Sequence, residues 1–334
     1  MADVTNVTYS EFADLTRHIW IEQLPKVETG VAARLFKQAD IPNGTGNTKR
    51  YDEYDTEMFA SLKPESANAV RTLPNVGYNV TMTFRRFAKE VVVSYEARSD
   101  NRYPEVYQDL VSLAHFGPQR LELDLTHILS FITATTYTDQ DGDVVTLTGG
   151  DGLAIASASH TLNNSTATWT NIVTNNPVLA QGSLETAENL MVTEIMDNNG
   201  NRRVLNFNTL VVADDSQTKN TAKQILQSTA DVDAVQAGVL NVYHNKYELV
   251  VLPRLASTAT GANDSTKSKY WFLIARGQWQ AHLGMREYPN LKTPSMGNNG
   301  EDPRNDDWTF GMRIRYGIRV VSGKGAIFSA GTGS

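Results

Sequence analysis

Apolar residues recur every three or four positions from Tyr103 to Tyr137, and that spacing predicts one long amphipathic helix. Val106, Leu110, Leu113 and Ala114 begin the stripe, and Leu121, Leu125, Ile128, Leu129 and Ile132 resume it. Pro104 suits the first turn, where a missing N–H costs nothing, and Ser99, Asp100 and Asn101 just upstream are capping types. Gly117-Pro118 is expected to bend or interrupt the rod, because proline deletes a backbone hydrogen bond and clashes with the preceding turn. A helical segment of about 35 residues spans roughly 50 Å, more than a compact domain needs, so an elongated molecule is expected.

The 334 residues suffice for two or more cores, and 40% apolar content marks a folded chain. A net charge of −7 argues against a dedicated nucleic-acid binder, which needs clustered Lys and Arg. With no cysteine, disulfides, thiolate metal sites and cysteine nucleophiles are excluded. The opening MADVTNVTYSEF has neither a basic nor an apolar leader region, and no apolar run approaches the about 20 residues of a membrane span. A soluble protein made in a cytoplasm, without a membrane partner, is expected.

Taken in order, Tyr9 to Leu24 has helical spacing, and Ile41-Pro42-Asn43-Gly44-Thr45-Gly46-Asn47 is linker chemistry, so residues 1–50 read as an arm. Val80, Met82 and Phe84 alternate with polar residues as a strand, after which the apolar parity switches to Phe87, Val91, Val93 and Tyr95. A bulge or sharp twist near Arg85-Arg86 is expected. With Tyr51 to Phe59 pairing back, residues 51–98 form a long hairpin with a broad tip. An isolated ribbon of this kind is marginal in water, and a neighbouring subunit is its expected support. Val144 to Leu147 is a short strand after an Asp-Gly turn, and Asn163 to Gly182 reads as an exposed loop. From Ser183, helix and strand alternate: a helix to Ile195, a strand Thr209–Ala213, a helix through Leu226, and strands Tyr247–Leu252 and Tyr270–Ala275. Gly284 to Asp307 is loop-rich, and Thr309 to Val321 is a strongly alternating strand with Arg313, Arg315 and Arg319 outward.

No catalytic, cofactor or metal site emerges. Asp139, Asp141 and Asp143 fail the calcium-loop pattern at its glycine and glutamate positions, which leaves a hairpin turn with a solvated acidic tip. Gly149-Gly150-Asp151-Gly152 lacks the Lys and Ser/Thr of a phosphate cradle, and no strand-to-helix turn carries a dinucleotide fingerprint. None of the 6 histidines stands at metal-ligand spacing to another. His160 follows Ser157 and Ser159, but there is no nucleophile elbow. The 5 tryptophans read as core or interface anchors before a carbohydrate groove, and the outward arginines as salt-bridge donors before a phosphate site.

The order of parts resembles the major capsid proteins of tailed bacteriophages, an α+β architecture known as the Hong Kong 97 fold, and within them the Mu-like head subunits. Three stretches carry the resemblance: FRRFAKEVVVSYEARSDNRYPEV from Phe84, GDGLAIASASHTL from Gly150, and the pair LNFNTLVVADDSQTKNTAKQIL and YELVVLPRL. The terminal WTFGMRIRYGIRVVSGKGAIFSAG is similar to the family's last peripheral strand. The resemblance implies an N-terminal arm (1–50), an extended β-hairpin loop (51–98), a peripheral domain (99–182) whose spine helix is 103–137, a mixed α/β axial domain (183–307), and a closing peripheral strand and tail (308–334). It implies a structural protein, not an enzyme, that self-assembles through hexameric and pentameric capsomers into an icosahedral head in the host cytoplasm. Scaffolding, portal and decoration proteins would be partners, as would packaged double-stranded DNA held without sequence readout. Arg71, Phe84, Arg85, Arg86, Lys89, Arg313 and Arg315 are the expected contacts between subunits. No helical scaffolding extension precedes the arm, which implies a separate scaffold or a processed form. Some family members join Lys to Asn between subunits, and Lys63 sits in the hairpin tip. The alternatives are an encapsulin-like cage, or a phage-derived carbohydrate-binding or hydrolytic protein.

Overall fold

The computed structural model describes residues 9–24, 30–54, 60, 62–66, 68–69, 77–100, 103–230, 240–293, 302 and 306–333, the side chains of 103 and 104 excepted. The chain begins with helix α1 (Tyr9–Gln23) and strands β1 (Lys37–Asp40), β2 (Thr48–Asp52), β3 (Asn79–Thr83) and β4 (Arg85–Val93). Helices α2 (Tyr95–Ser99) and α3 (Tyr103–Ser130) follow, then the hairpins β5 (Thr136–Thr138) with β6 (Val144–Thr146) and β7 (His160–Thr161) with β8 (Thr168–Trp169). Next come α4 (Gln181–Thr193), β9 (Thr209–Ala213), α5 (Ser216–Gln227), β10 (Glu248–Leu252) and β11 (Trp271–Ile274). Strands β12 (Ala281–Lys292), β13 (Trp308–Val320) and β14 (Ala326–Ser329) close the chain.

Helix α3 is the rod the periodicity predicts, with two differences. It runs through Gly117-Pro118 unbroken, and it ends at Ser130, not Tyr137. Its 28 residues still reach about 42 Å at 1.5 Å per residue. Glycine at 117 lets β13 approach, since a Cβ there would stand 2.9 Å from Met312 Sδ. Tyr137, expected as the helix end, instead pairs with Val145 in the hairpin that follows.

The rod lies on a four-stranded sheet ordered β1-β12-β13-β4, and the inward residues Phe310, Met312, Ile314 and Tyr316 are all buried, as the alternation predicts. Two parts of this sheet depart from expectation. β1 adds in parallel to β12, and α1 buries Tyr9 and Phe12 against Trp308, so the segment read as a loose arm packs on its own body. Much of the stretch expected to be loop after Gly284 belongs to β12, whose ladder is interrupted by register shifts between Met285 and Asn290. Those irregularities, with Pro289 among them, erase a clean period of two.

The second sheet, β10-β9-β11-β14, is covered on both faces. Val211, Ala213, Phe272 and Ile274 join the main core with α3, whereas Leu210, Val212, Trp271 and Leu273 join a second core with α4 and α5. Burial on both faces explains why β9 reads as the continuous apolar run Leu210-Val211-Val212-Ala213. The helix-and-strand alternation after Ser183 is as expected. β14, however, leaves β13 behind and pairs with β11.

The hairpin forms between β2 and β3, with Tyr51 opposite Val80. Its outgoing limb begins at Thr48 and not at Tyr51, and residues 55–59 and the tip positions 70–76 lie outside the described residues. The predicted irregularity falls at Phe84, where the chain leaves the hairpin and β4 enters the large sheet beside β13. The root of the ribbon needs no neighbour. Gly284 and Gly317 face each other across β12 and β13, and a Cβ on either would come within 3.0 Å of Met82 Sδ. Met82 therefore sinks to 0% exposure on a floor without side chains, flanked by Phe84 and Ile41. Finally, the segment expected to be an exposed loop after Asn163 buries Trp169, Asn171 and Val173.

Candidate functional site

Two polar clusters fasten the extended parts of the chain to its body. The first gathers around the turn between β5 and β6. Asp139 Oδ1 accepts the N–H groups of Asp141 and Asp143, each at 3.0 Å, so the side chain builds the turn from within. Its Oδ2 accepts from Arg85 at 2.8 Å and from Arg120 at 3.1 Å. Arg85 also reaches Asp143 at 2.6 Å, while Arg120 reaches Asp141 at 2.6 Å and Asp124 at 2.9 Å. Tyr316 Oη donates to the other oxygen of Asp124 at 2.6 Å. The expected solvated acidic tip is thus corrected: Asp139 is 5% exposed and serves as the shared anion of two arginines. Burial works to raise its carboxyl, but the hydrogen bond and charge of Arg85 prevail and hold it below the usual range. Burial pushes the Asp124 carboxyl and the Tyr316 phenol up. Both arginines lie over the Phe87 ring, which stacks on Tyr316 at 4.9 Å.

The second cluster sits at the root of the hairpin, and most of its members were missed in the sequence. Glu53 ends the outgoing limb and holds the returning one: its N–H donates to Tyr78 O, its carbonyl accepts from Gly77, and its Oε2 accepts from Tyr78 N at 3.3 Å. On the far side Lys324 Nζ stands 3.2 Å from Glu53 Oε1 and donates to Asn198 Oδ1 at 3.2 Å. Tyr78 Oη meets Thr161 Oγ1 at 3.1 Å, which ties the same limb to β7. Behind it, His160 Nδ1 lies 2.6 Å from Asp151 Oδ2 and Nε2 lies 3.2 Å from Asn171 Oδ1. Asn171 Nδ2 donates to the carbonyls of Ile155, Gly323 and Ala326, so one asparagine knits the turn before β14 to the β7–β8 region. The His160 ring stacks on Trp169 at 4.2 Å. With both ring nitrogens engaged, His160 does not activate Ser157 or Ser159. The Asp151 and His160 motif is a structural lock. The signal for Lys324 is a lone cation between Gly323 and Gly325, where a Cβ at either would collide with backbone or Trp279.

The expected contact residues are scattered. Arg71 lies outside the described residues. Phe84 is 4% exposed beneath the hairpin, Arg85 belongs to the aspartate cluster, Arg313 pairs with Glu287 at 2.5 Å, and Arg315 donates to Asn47 at 2.7 Å. Arg86 and Lys89 are exposed. Among the described residues no group of three or more His, Asp or Glu is placed to hold a metal ion, and no helix is long and apolar enough to cross a membrane.

No family model matches the chain, and neither does any curated protein. Solved structures do. The capsid subunit of cyanophage Pam1 superposes with a TM-score of 0.51 at 14% identity, over 92% of this chain and 93% of that one. Gordonia phage Cozz gives 0.49 at 15% over 90% and 85%, and the capsid of an empty GTA particle gives 0.49 at 12% over 90% and 89%. The fold of this chain is that of the phage major capsid proteins.

Proposed function

We propose that the chain is the repeating subunit of an icosahedral phage head, a structural protein and not an enzyme. The observation that carries this reading is the fold likeness to the Pam1 capsid subunit over 92% of the chain. The architecture supports it. The hairpin is secured at its root by Glu53, Met82 and Lys324, as a limb that reaches away from the body must be. In this reading residues 51–98 are the extended loop, 99–182 with 308–334 the peripheral region around α3, and 183–307 the axial region around the second sheet. Residues 1–50 are an arm anchored on the body through α1 and β1. Partners are further copies in hexameric and pentameric capsomers, a scaffold, a portal, and packaged DNA held without sequence-specific contacts, in a virion assembled in the host cytoplasm.

The test is direct: the expressed chain, alone and with its scaffold, is followed by size-exclusion chromatography and negative-stain electron microscopy. Closed shells or capsomer rings are expected. A species that stays monomeric under every condition would end the proposal, and particles loaded with protein in place of DNA would turn it toward a cage.

A further inference from the structure

An asparagine side chain is open to attack by the backbone nitrogen of the next residue when that residue is glycine, which adds no side chain to hinder the approach. Whether the attack happens then depends on two things: whether that nitrogen is already committed to an acceptor, and whether nearby charge favours the anion formed. Of the three Asn-Gly pairs in the chain, Asn299-Gly300 lies outside the described residues, and the fold treats the other two in opposite ways. Asn43 and Gly44 form the exposed tip of the turn between β1 and β2, Gly44 at a φ of +93° with nothing within 4 Å of where a Cβ would stand. Its N–H makes no hydrogen bond among the described residues. Two guanidinium groups hold this turn. Arg286 donates to Gly46 O and, at 2.8 Å, to Thr45 Oγ1, and Arg315 donates to Asn47 Oδ1 at 2.7 Å. All three acceptors are neutral, so the turn is electropositive. Asn199-Gly200, beyond α4, has the reverse setting. Gly200 N–H donates to Asp197 O at 3.1 Å, and a Cβ there would stand 3.2 Å from Ser165 Oγ. The Asp197 carboxylate sits within that turn and accepts from Asn199 N at 3.0 Å and Asn201 N at 2.7 Å. Attack at this pair breaks a backbone hydrogen bond and builds negative charge beside a carboxylate.

We propose that Asn43 is a site of self-modification, converting to aspartate and isoaspartate in the folded chain while Asn199 stays intact. Gly44 N gives its proton to hydroxide from the solvent, and the electron pair it keeps attacks Asn43 Cγ. The Cγ–Nδ2 bond breaks, and the departing nitrogen takes a proton from water and leaves as ammonia. A five-membered imide remains, in which Gly44 N is bonded both to Cγ and to the Asn43 carbonyl carbon. Water opens it: breaking the bond to Cγ yields aspartate, and breaking the bond to the carbonyl carbon yields isoaspartate, whose chain runs on through Cγ. In sum one water is consumed and one ammonia released, with no oxidant or reductant. Either product brings a carboxylate to a turn whose arginines have only neutral acceptors, and so supplies the counter-ion that is missing there. The reaction is confined to one chain and stands or falls independently of shell assembly.

The test is timed incubation of the full-length chain at neutral pH, native and unfolded in urea, followed by peptide mapping with electron-transfer mass spectrometry, which tells aspartate from isoaspartate. Each conversion adds about 1 Da. In the native chain Asn43 is expected to convert at least about tenfold faster than Asn199. In urea the two rates should converge, because only the shared dipeptide is then left to set them. Added salt should slow Asn43 and quicken Asn199 in the native chain, since it screens the arginines at one turn and the aspartate at the other. Asn43→Asp, the product made directly, should melt no lower than the wild type. Equal native rates, faster reaction at Asn199, or an unreacted native Asn43 once the urea sample has converted would each overturn the proposal. So would native rates that ignore salt, or an Asn43→Asp chain that melts below the wild type.

Discussion

His127, in the last turn of α3, is 1% exposed and meets Phe131 and Tyr137 edge-on at 5.5 and 5.4 Å. Neither ring nitrogen makes a hydrogen bond among the described residues. Burial, helped by the charges of Lys267, Arg120 and Arg254, brings its pKa down to about 4; the backbone of Thr258 favours the proton but lies outside hydrogen-bond geometry. Above the unfolded value of about 6.5 both states are neutral and the residue is without pH effect. Below it the unfolded chain takes up a proton that the folded one refuses until about pH 4, so stability falls through that window. His127→Leu should change stability at pH 7 by under about 1.5 kcal/mol. At pH 4.5 it should gain roughly 2 kcal/mol over the wild type, read from urea unfolding of the isolated chain; parallel pH profiles would refute this. Asp139 acts at lower pH. Its folded value is depressed, so its contribution is complete above about pH 4 and is lost as pH falls through the folded value. Asp139→Asn leaves Arg85 and Arg120 short of their shared anion and should cost about 3 kcal/mol at pH 7, with a smaller cost in acid.

Two glycines show how the elements are spaced. At Gly117 a new Cβ meets the end of Met312, a flexible side chain that can turn aside, and alanine also favours the helix. At Gly317 the Cβ meets Thr83 O at 2.8 Å, a backbone atom that cannot yield without lifting β3 off the sheet. Gly117→Ala should therefore stay within about 1 kcal/mol of the wild type, and Gly317→Ala should lose about 2 kcal/mol or more in denaturant titrations. Equal effects would show that the hairpin root does not depend on this floor. The same pair explains what could be read from the sequence. The periodicity of α3 and the alternation of β13 are local properties of the chain, and both elements form, although α3 stops at Ser130, short of the expected Tyr137. The floor under Met82 is not local, because it pairs Gly284 with Gly317 across two strands, and a lone glycine carries no mark of what lies above it. The Asp139 turn fails for the same reason: its tip reads as solvated unless Arg85, 54 positions away, is known to fold over it. Glu53, Asn198 and Lys324 come from three distant segments, and only the assembled fold brings the Lys324 amine to 3.2 Å from each of the other two.

At the scale of the whole molecule, charge separates surface that serves folding from surface left over. Arg85, Arg120, Arg276 and Arg313 pair with carboxylates of their own chain. Arg86 does not: it is exposed, makes no ion pair among the described residues, and stands directly across the ladder from Arg315, whose guanidinium turns to Asn47. Two like charges opposite one another destabilise an antiparallel pair by a few tenths of a kcal/mol. In the shell proposed above, whose subunits would each carry a net charge of −7, an acidic group from an adjacent copy would relieve that repulsion. Lys89, exposed on the same strand, falls on the opposite face, its amine 5.7 Å from the Phe116 ring of α3, and so leaves Arg86 without help there. Arg86→Glu inverts the logic, since the new carboxylate can pair with Arg315 inside the chain while repelling the neighbour's acid. The isolated variant should melt at the wild-type temperature or slightly above it. Its assembly, followed by sedimentation velocity across a salt series, should be lost or shifted to a protein concentration at least about tenfold higher, with the defect shrinking as salt screens the repulsion. Wild-type assembly by Arg86→Glu at low salt would remove this strand from the contact surface and direct attention to the hairpin alone.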